Sequence, residues 1–211
     1  MSTMLDQPSA TLPREQPIAM SYAEFQQLDV SHAEWVDGKV TIFMPPSLHH
    51  QMVSKFLLIV LNEFVEHFQL GVVVPAPFEM GGIPGRSYRE PDLLFVASAN
   101  LDRLTPQRLE GPADLVVEIV SPSSKQRDRT EKFDEYEAIG VREYWLIDPQ
   151  RQRASFYALG NDERYHEILL TDGWLVSTVV RGFALREAWL WQEPLPAMLP
   201  TLQIIIGRNE S

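Results

Sequence analysis

Asp114-Leu-Val-Val-Glu118-Ile-Val120 sets a carboxylate in the middle of the most apolar strand-like run of the chain. A charge buried among aliphatic side chains needs a metal, a cation or a proton to offset its lost hydration. Upstream, Pro91-Asp92-Leu-Leu-Phe-Val96 repeats the pattern, with an acid opening an apolar strand directly after a proline. A near-continuous apolar run marks a strand covered on both faces. Two such strands, each delivering one acid, suit Mg²⁺ or Mn²⁺, which prefer hard oxygen ligands. The competing reading pairs Glu118 with an arginine at a sheet edge, since buried ion pairs also perturb titration without catalysis.

Helical periodicity lies on either side of these strands. Ser21 to Leu28 reads as a short helix with a capping box, Ser21 at the N-cap and Glu24 three residues on. Asp37-Gly38 joins two strand-like runs as a hairpin turn. From Ser47 to Gln69, Val53, Phe56, Leu57, Val60, Leu61, Phe64, Val65 and Phe68 recur at helical spacing, with Gly71 as the expected C-cap. Lys125 to Ile139 reads as a helix ended by Gly140, and Glu143 to Asp148 as a strand stopped by Pro149. Beyond it, strands over 153–159, 164–170 and 174–180 suggest a meander with a turn at Thr171-Asp-Gly173. The Pro-interrupted stretch 182–206 resists assignment. The order of elements predicts a mixed α/β sheet with helices on its faces.

The chain has 211 residues, 45% hydrophobic and 22% charged, enough for a sizeable core. It has no cysteine, which excludes disulfides, zinc–thiolate sites and cysteine nucleophiles. This composition fits a cytoplasmic protein. No stretch approaches the roughly 20 apolar residues that span a bilayer, and no membrane partner is expected. The net charge of −11 counts against tight, metal-free DNA binding, which usually shows a basic footprint.

Lys125, Arg127, Arg129 and Lys132 follow Glu118 closely. A lysine beside a bound phosphate can orient the attacking water and stabilise developing charge. The plainer reading is a solvated helix with an Asp128–Lys132 pair. Glu34, before Trp35, is either a third acid or an exposed strand end. His49 and His50 open the long helix, where they could meet phosphate or cap it; no histidine stands at zinc-type spacing from them. Asp148 before Pro149 reads as a turn residue. There is no P-loop, dinucleotide fingerprint or Gly-x-Ser-x-Gly elbow.

Taken in order, Glu34-Trp-Val-Asp-Gly-Lys39, Met44-Pro-Pro-Ser-Leu-His-His-Gln51, Glu90-Pro-Asp-Leu-Leu-Phe95, Asp114 to Ser123, Arg127-Asp128, Lys132, Tyr136 and Gly140 to Pro149 form a set. The set resembles the Uma2 family, a branch of the restriction-endonuclease-like PD-(D/E)XK superfamily, from Met20 to Leu195. The resemblance implies a restriction-endonuclease-like core, a central mixed sheet flanked by helices, with the β-meander added. It implies a domain over 20–195; the polar, Pro-dotted start reads by composition as a flexible arm, 1–19, and 196–211 is set apart as a tail. Asp92 matches the acid of "PD", Glu118 the acid of "(D/E)XK", and Glu34 the upstream acid.

The implied activity is Mg²⁺- or Mn²⁺-dependent hydrolysis of DNA phosphodiesters, with Asp92, Glu118 and Glu34 as metal ligands. A homodimer is the expected assembly. The superfamily lysine belongs two residues after the acid, where this chain has Val120. Uma2-like chains move that lysine to the next helix, which makes Lys132 the candidate and Lys125 the second. Lys39 also stands where the family often has an acid, so no ligand is expected there. The alternative is a weakly active or inactive nucleic-acid-binding module on the same scaffold.

Overall fold

The computed structural model describes residues 17–28, 33–42, 46–81, 88–120 and 130–209. The chain runs β1 (Ile18–Ala19), α1 (Tyr22–Phe25), β2 (Ala33–Val36), β3 (Lys39–Ile42), α2 (Leu48–His67), β4 (Gly71–Pro75), β5 (Glu79–Gly81) and β6 (Leu93–Ala97). It continues through β7 (Arg108–Glu110), β8 (Leu115–Ile119), α3 (Glu131–Ile139), β9 (Glu143–Asp148), β10 (Arg153–Leu159) and β11 (Tyr165–Glu167). β12 (Trp174–Val176), β13 (Ala184–Arg186) and α4 (Met198–Asn209) complete it. The first sixteen residues of the expected arm, and Lys125 with the start of its expected helix, lie outside the described residues.

The central sheet has six strands in the order β11-β10-β9-β8-β6-β4. β8 and β9 are parallel and the other neighbours antiparallel, so the sheet is mixed as expected. All five residues of β8 are buried. Leu115, Val117 and Ile119 join the core under α2 and α4, and Val116 joins the core under α3. Strand alternation therefore sends Glu118 to the α3 side. The apolar run around Glu118 reflects a strand sandwiched between two helical layers.

Local signals fold as read at several points. Ser21 and Glu24 form the capping box. Asp37 and Gly38 both take positive φ, 47° and 76°, as a two-residue hairpin turn demands. Gly140 ends α3 in the left-handed conformation at φ 88°. The end of α2 differs from expectation: its left-handed residue is Gln69, φ 54°, and not Gly71. Gly71 instead lets β4 approach β6, because a Cβ there would strike the Val96 carbonyl oxygen and lie 2.9 Å from Ala97 Cα. Backbone cannot yield as a flexible side chain can. Gly71→Ala is expected to cost about 1–3 kcal/mol of stability, read as a lower midpoint in guanidinium unfolding.

The meander is shorter than its sequence pattern suggests. β9, β10 and β11 form it, but β12 leaves the sheet and pairs with β13. Residues 198–209, set apart as tail by the sequence reading, form α4, which packs on α2 and buries Ile205 and Thr201. Among the described residues no helix is long and apolar enough to cross a membrane.

The small sheet β1-β3-β2 and α1 meet the β5–β7 pair and the segment before β6 through an aromatic clasp. Tyr22 stacks on Tyr88 with ring centroids 4.1 Å apart. Its hydroxyl donates to Glu79 Oε2 at 2.7 Å and accepts from Arg108 Nη1 at 3.1 Å. Burial, then the Glu79 carboxylate, push the Tyr22 hydroxyl up to about 12. Trp35 bridges to Tyr88, which brings β2 alongside the segment leading to Asp92.

Candidate active site

Asp92 and Glu118 come together because β6 and β8 are neighbours. Their register pairs Leu93 with Val117, so the two acids meet at the same end of the ladder. Asp92 extends that ladder with its side chain: Oδ2 accepts from the Ile119 N–H at 2.7 Å. Pro91 suits this position, since a residue without an N–H removes no donor from the sheet.

α3 supplies the cation. Lys132, Glu135 and Tyr136 lie three and four residues apart, on one face of the helix. Lys132 Nζ and Tyr136 Oη both donate to Glu118 Oε1, each at 2.7 Å. Lys132 and Glu118 are each 3% exposed, so this ion pair is buried. The second reading of Glu118 is thereby met in part. It has a buried cationic partner, but the partner is a lysine from the next helix and the strand is central. Val120, in the position of the superfamily lysine, is buried.

Side chains flanking this face fix where α3 sits. Glu135 Oε2 accepts from the buried Arg89 Nε at 2.7 Å. Glu137 accepts from the Tyr165 N–H at 2.7 Å and from Arg164 Nη1 at 2.8 Å. These two bonds, in that order, hold the Glu137 carboxyl below its ordinary range. α3 is thus tied to the segment before Asp92 on one side and to β11 on the other.

His50 completes the constellation, and the sequence reading did not place it here. Ser47 caps α2 by accepting from the His50 N–H at 3.2 Å. This orientation buries the imidazole, with Nε2 3.3 Å from Asp92 Oδ1. The available signal was a histidine at a helix N-terminus, where a positive ring is disfavoured unless an acid faces it. Tyr136 was named only as a family match. His49 turns away to the exposed Glu193, at 3.6 Å. Asp148 ends β9 and accepts from the Arg151 N–H at 3.1 Å, a turn role as read.

Glu34 stands in β2 opposite Thr41. Its side chain lies outside the described groups. Lys125 is likewise outside the described residues. Among the described residues no three His, Asp or Glu side chains converge as a metal cage. The donors present are a carboxylate pair on adjacent strands. That fits an ion such as Mg²⁺, which is usually held by one or two carboxylates with water and substrate oxygens filling the rest.

Comparison with known proteins agrees with this architecture. Among solved structures, the crystal structure of a "putative nuclease belonging to DUF820" from Anabaena variabilis ATCC 29413 superposes with a TM-score of 0.65. It shares 19% sequence identity, and the match covers 80% of this chain and 96% of that one. At that identity the likeness speaks to the fold, a mixed sheet with helices on its faces. No curated protein matches. The Uma2 family model, described as "Putative restriction endonuclease", matches residues 22–188. That match spans most of the chain, and the protein belongs to the Uma2 family.

Proposed function

We propose that the protein is a Mg²⁺- or Mn²⁺-dependent endonuclease that hydrolyses DNA phosphodiester bonds. The observation that carries this reading is the meeting of Asp92 and Glu118 on adjacent strands, with the Lys132 ammonium 2.7 Å from Glu118. Asp92 and Glu118 would hold the ion, and Glu34 is the third acid in this reading. A bound divalent ion polarises a phosphoryl oxygen and lowers the pKa of its water. Lys132 acts beside it as a fixed positive charge, orienting the attacking water and stabilising charge that develops on the phosphate. Tyr136 and Lys132 both bind Oε1, which fixes the carboxylate plane. His50 fixes Asp92 in the same way from the helical layer.

Plasmid nicking in Mn²⁺ tests the reading. Asp92→Ala and Glu118→Ala are each expected to abolish the activity of the wild type. Equal nicking by all three proteins would trace the activity to a contaminant and end the proposal.

One observation favours the alternative of a binding module. Glu118 Oε1 already accepts from two donors, as in a purely structural ion pair. Titration calorimetry separates the two readings. Heat of Mn²⁺ binding that disappears in Asp92→Ala supports the nuclease; no binding at millimolar Mn²⁺ supports the module.

A further inference from the structure

Beside the ion pair, on the same face of the sheet, lies a pocket of about 180 Å³ lined by Phe133, Leu146, Asp148, Arg153, Ser155 and Tyr157. The register explains its position. Glu118 pairs with Leu146 on β9, and Leu146 with Ser155 on β10. Paired residues share a face of the sheet, so this row runs from the carboxylate straight into the pocket. Ser155 stands two strand spacings from Glu118, roughly 10 Å. The next row along the same face pairs Asp148 with Arg153. α3 closes the opposite wall with Phe133, the residue after Lys132.

The lining combines ring surface with polar edges. Phe133 meets Tyr157 edge-on with centroids 4.9 Å apart, and Tyr157 stacks near Tyr144 at 6.2 Å. That packing holds the rings in place. Asp148 provides an acceptor and is 2% exposed. Arg153 provides a fork of donors; it is exposed and has no ion-pair partner among the described residues. Ser155 can donate or accept. The volume is below the roughly 300–1,000 Å³ typical of drug-sized ligand sites, so one ring system fits and a stacked pair does not.

We propose that this pocket receives the base of an unpaired nucleotide next to the scissile phosphate, so that the substrate is single-stranded or locally unpaired nucleic acid. The proposal rests on the nuclease reading for the placement of the phosphate at Glu118 and Lys132. Two features select an unpaired base. A base within a duplex has its faces covered by its neighbours and cannot enter a one-ring pocket, whereas an unstacked base offers both a face and its pairing edge. A chain of net charge −11 also draws little affinity from phosphate contacts alone, which dominate nonspecific duplex binding. Base contacts in a pocket supply what the charge does not.

The test is equilibrium binding, by fluorescence anisotropy in Ca²⁺, of a labelled single-stranded DNA decamer and of the same strand annealed to its complement. The variants are Arg153→Ala, at an exposed position, and Ser155→Met, which fills the pocket; thermal melting verifies that each is folded. Single-strand binding is expected to be at least about tenfold tighter than duplex binding, and each variant to weaken it about tenfold. Duplex bound as tightly as single strand, or single-strand affinity unchanged in Ser155→Met, would overturn the proposal. The nuclease reading fails separately. Pocket-dependent binding without any metal-dependent nicking would remove the nuclease and keep the pocket. Nicking with a preference for duplex would do the reverse.

Discussion

Replacing Lys132 with methionine is expected to slow metal-dependent nicking about 10²–10³-fold, the usual effect of losing one preorganised donor to developing charge. The same change acts on the folded state. Glu118 is left buried without its ammonium, and breaking a buried pair from one side costs about 3–5 kcal/mol. Adding Glu118→Gln to Lys132→Met removes the stranded charge and should return most of that stability, but none of the activity. Guanidinium midpoints and single-turnover rates on the four proteins of this cycle read the two effects apart. A Lys132→Met protein that loses stability but cuts at the wild-type rate would make the pair purely structural and remove Lys132 from the mechanism.

Glu143→Ala should give the largest loss of stability away from the site, about 4 kcal/mol, since it strands several buried donors to a charged acceptor. Glu143 begins β9 and is fully buried. No cation faces it. Instead Trp145 Nε1 donates to Oε1 at 2.6 Å, while Oε2 accepts from the Thr178 and Val179 N–H groups at 2.6 and 3.1 Å and from the hydroxyls of Ser177 and Thr178. The carboxylate therefore holds the turn after β12 against the central sheet. Glu143→Gln keeps the shape but turns one acceptor into a donor, and should lose about half as much. Because Glu143 lies at the opposite end of β9 from Asp148, nicking below the melting range should persist in both variants. Unfolding at the wild-type midpoint in Glu143→Ala would refute the role.

The features legible in the sequence were those decided locally. An apolar run predicts a two-sided strand because burial on both faces demands it, and β6 and β8 follow. The Ser21–Glu24 box, the Asp37-Gly38 turn and Gly140 fold as read because their partners lie within a few residues. Contacts made over long distances left weaker traces. Nothing near Glu143 shows that its partners are residues 177–179. His50 looks like one of two equivalent histidines until the cap at Ser47 turns it to Asp92. α4 was hidden by Pro200 in its first turn, where a missing N–H costs nothing because that turn has no intrahelical acceptor. β12 has the pattern of a third meander strand, yet its partner is β13, which only the tertiary packing selects. In the site, the two acids were legible because each interrupts an apolar run. Lys132 is one of four cations that follow Glu118, and only the family pattern singles it out, since a lysine on a short polar helix is unremarkable alone.

Lys132 rides on a helix of nine residues, a length that holds little helix in isolation. Asp92 and Glu118 stand on the neighbouring segments of β6 and β8, bonded into the sheet. The acids and their counter-charge thus belong to regions with different free energies of local opening. Because Lys132 and Tyr136 share α3, any opening of that helix would withdraw the ammonium and the tyrosine hydroxyl from Glu118 together. Docking of α3 and charge balance at the site are therefore a single equilibrium.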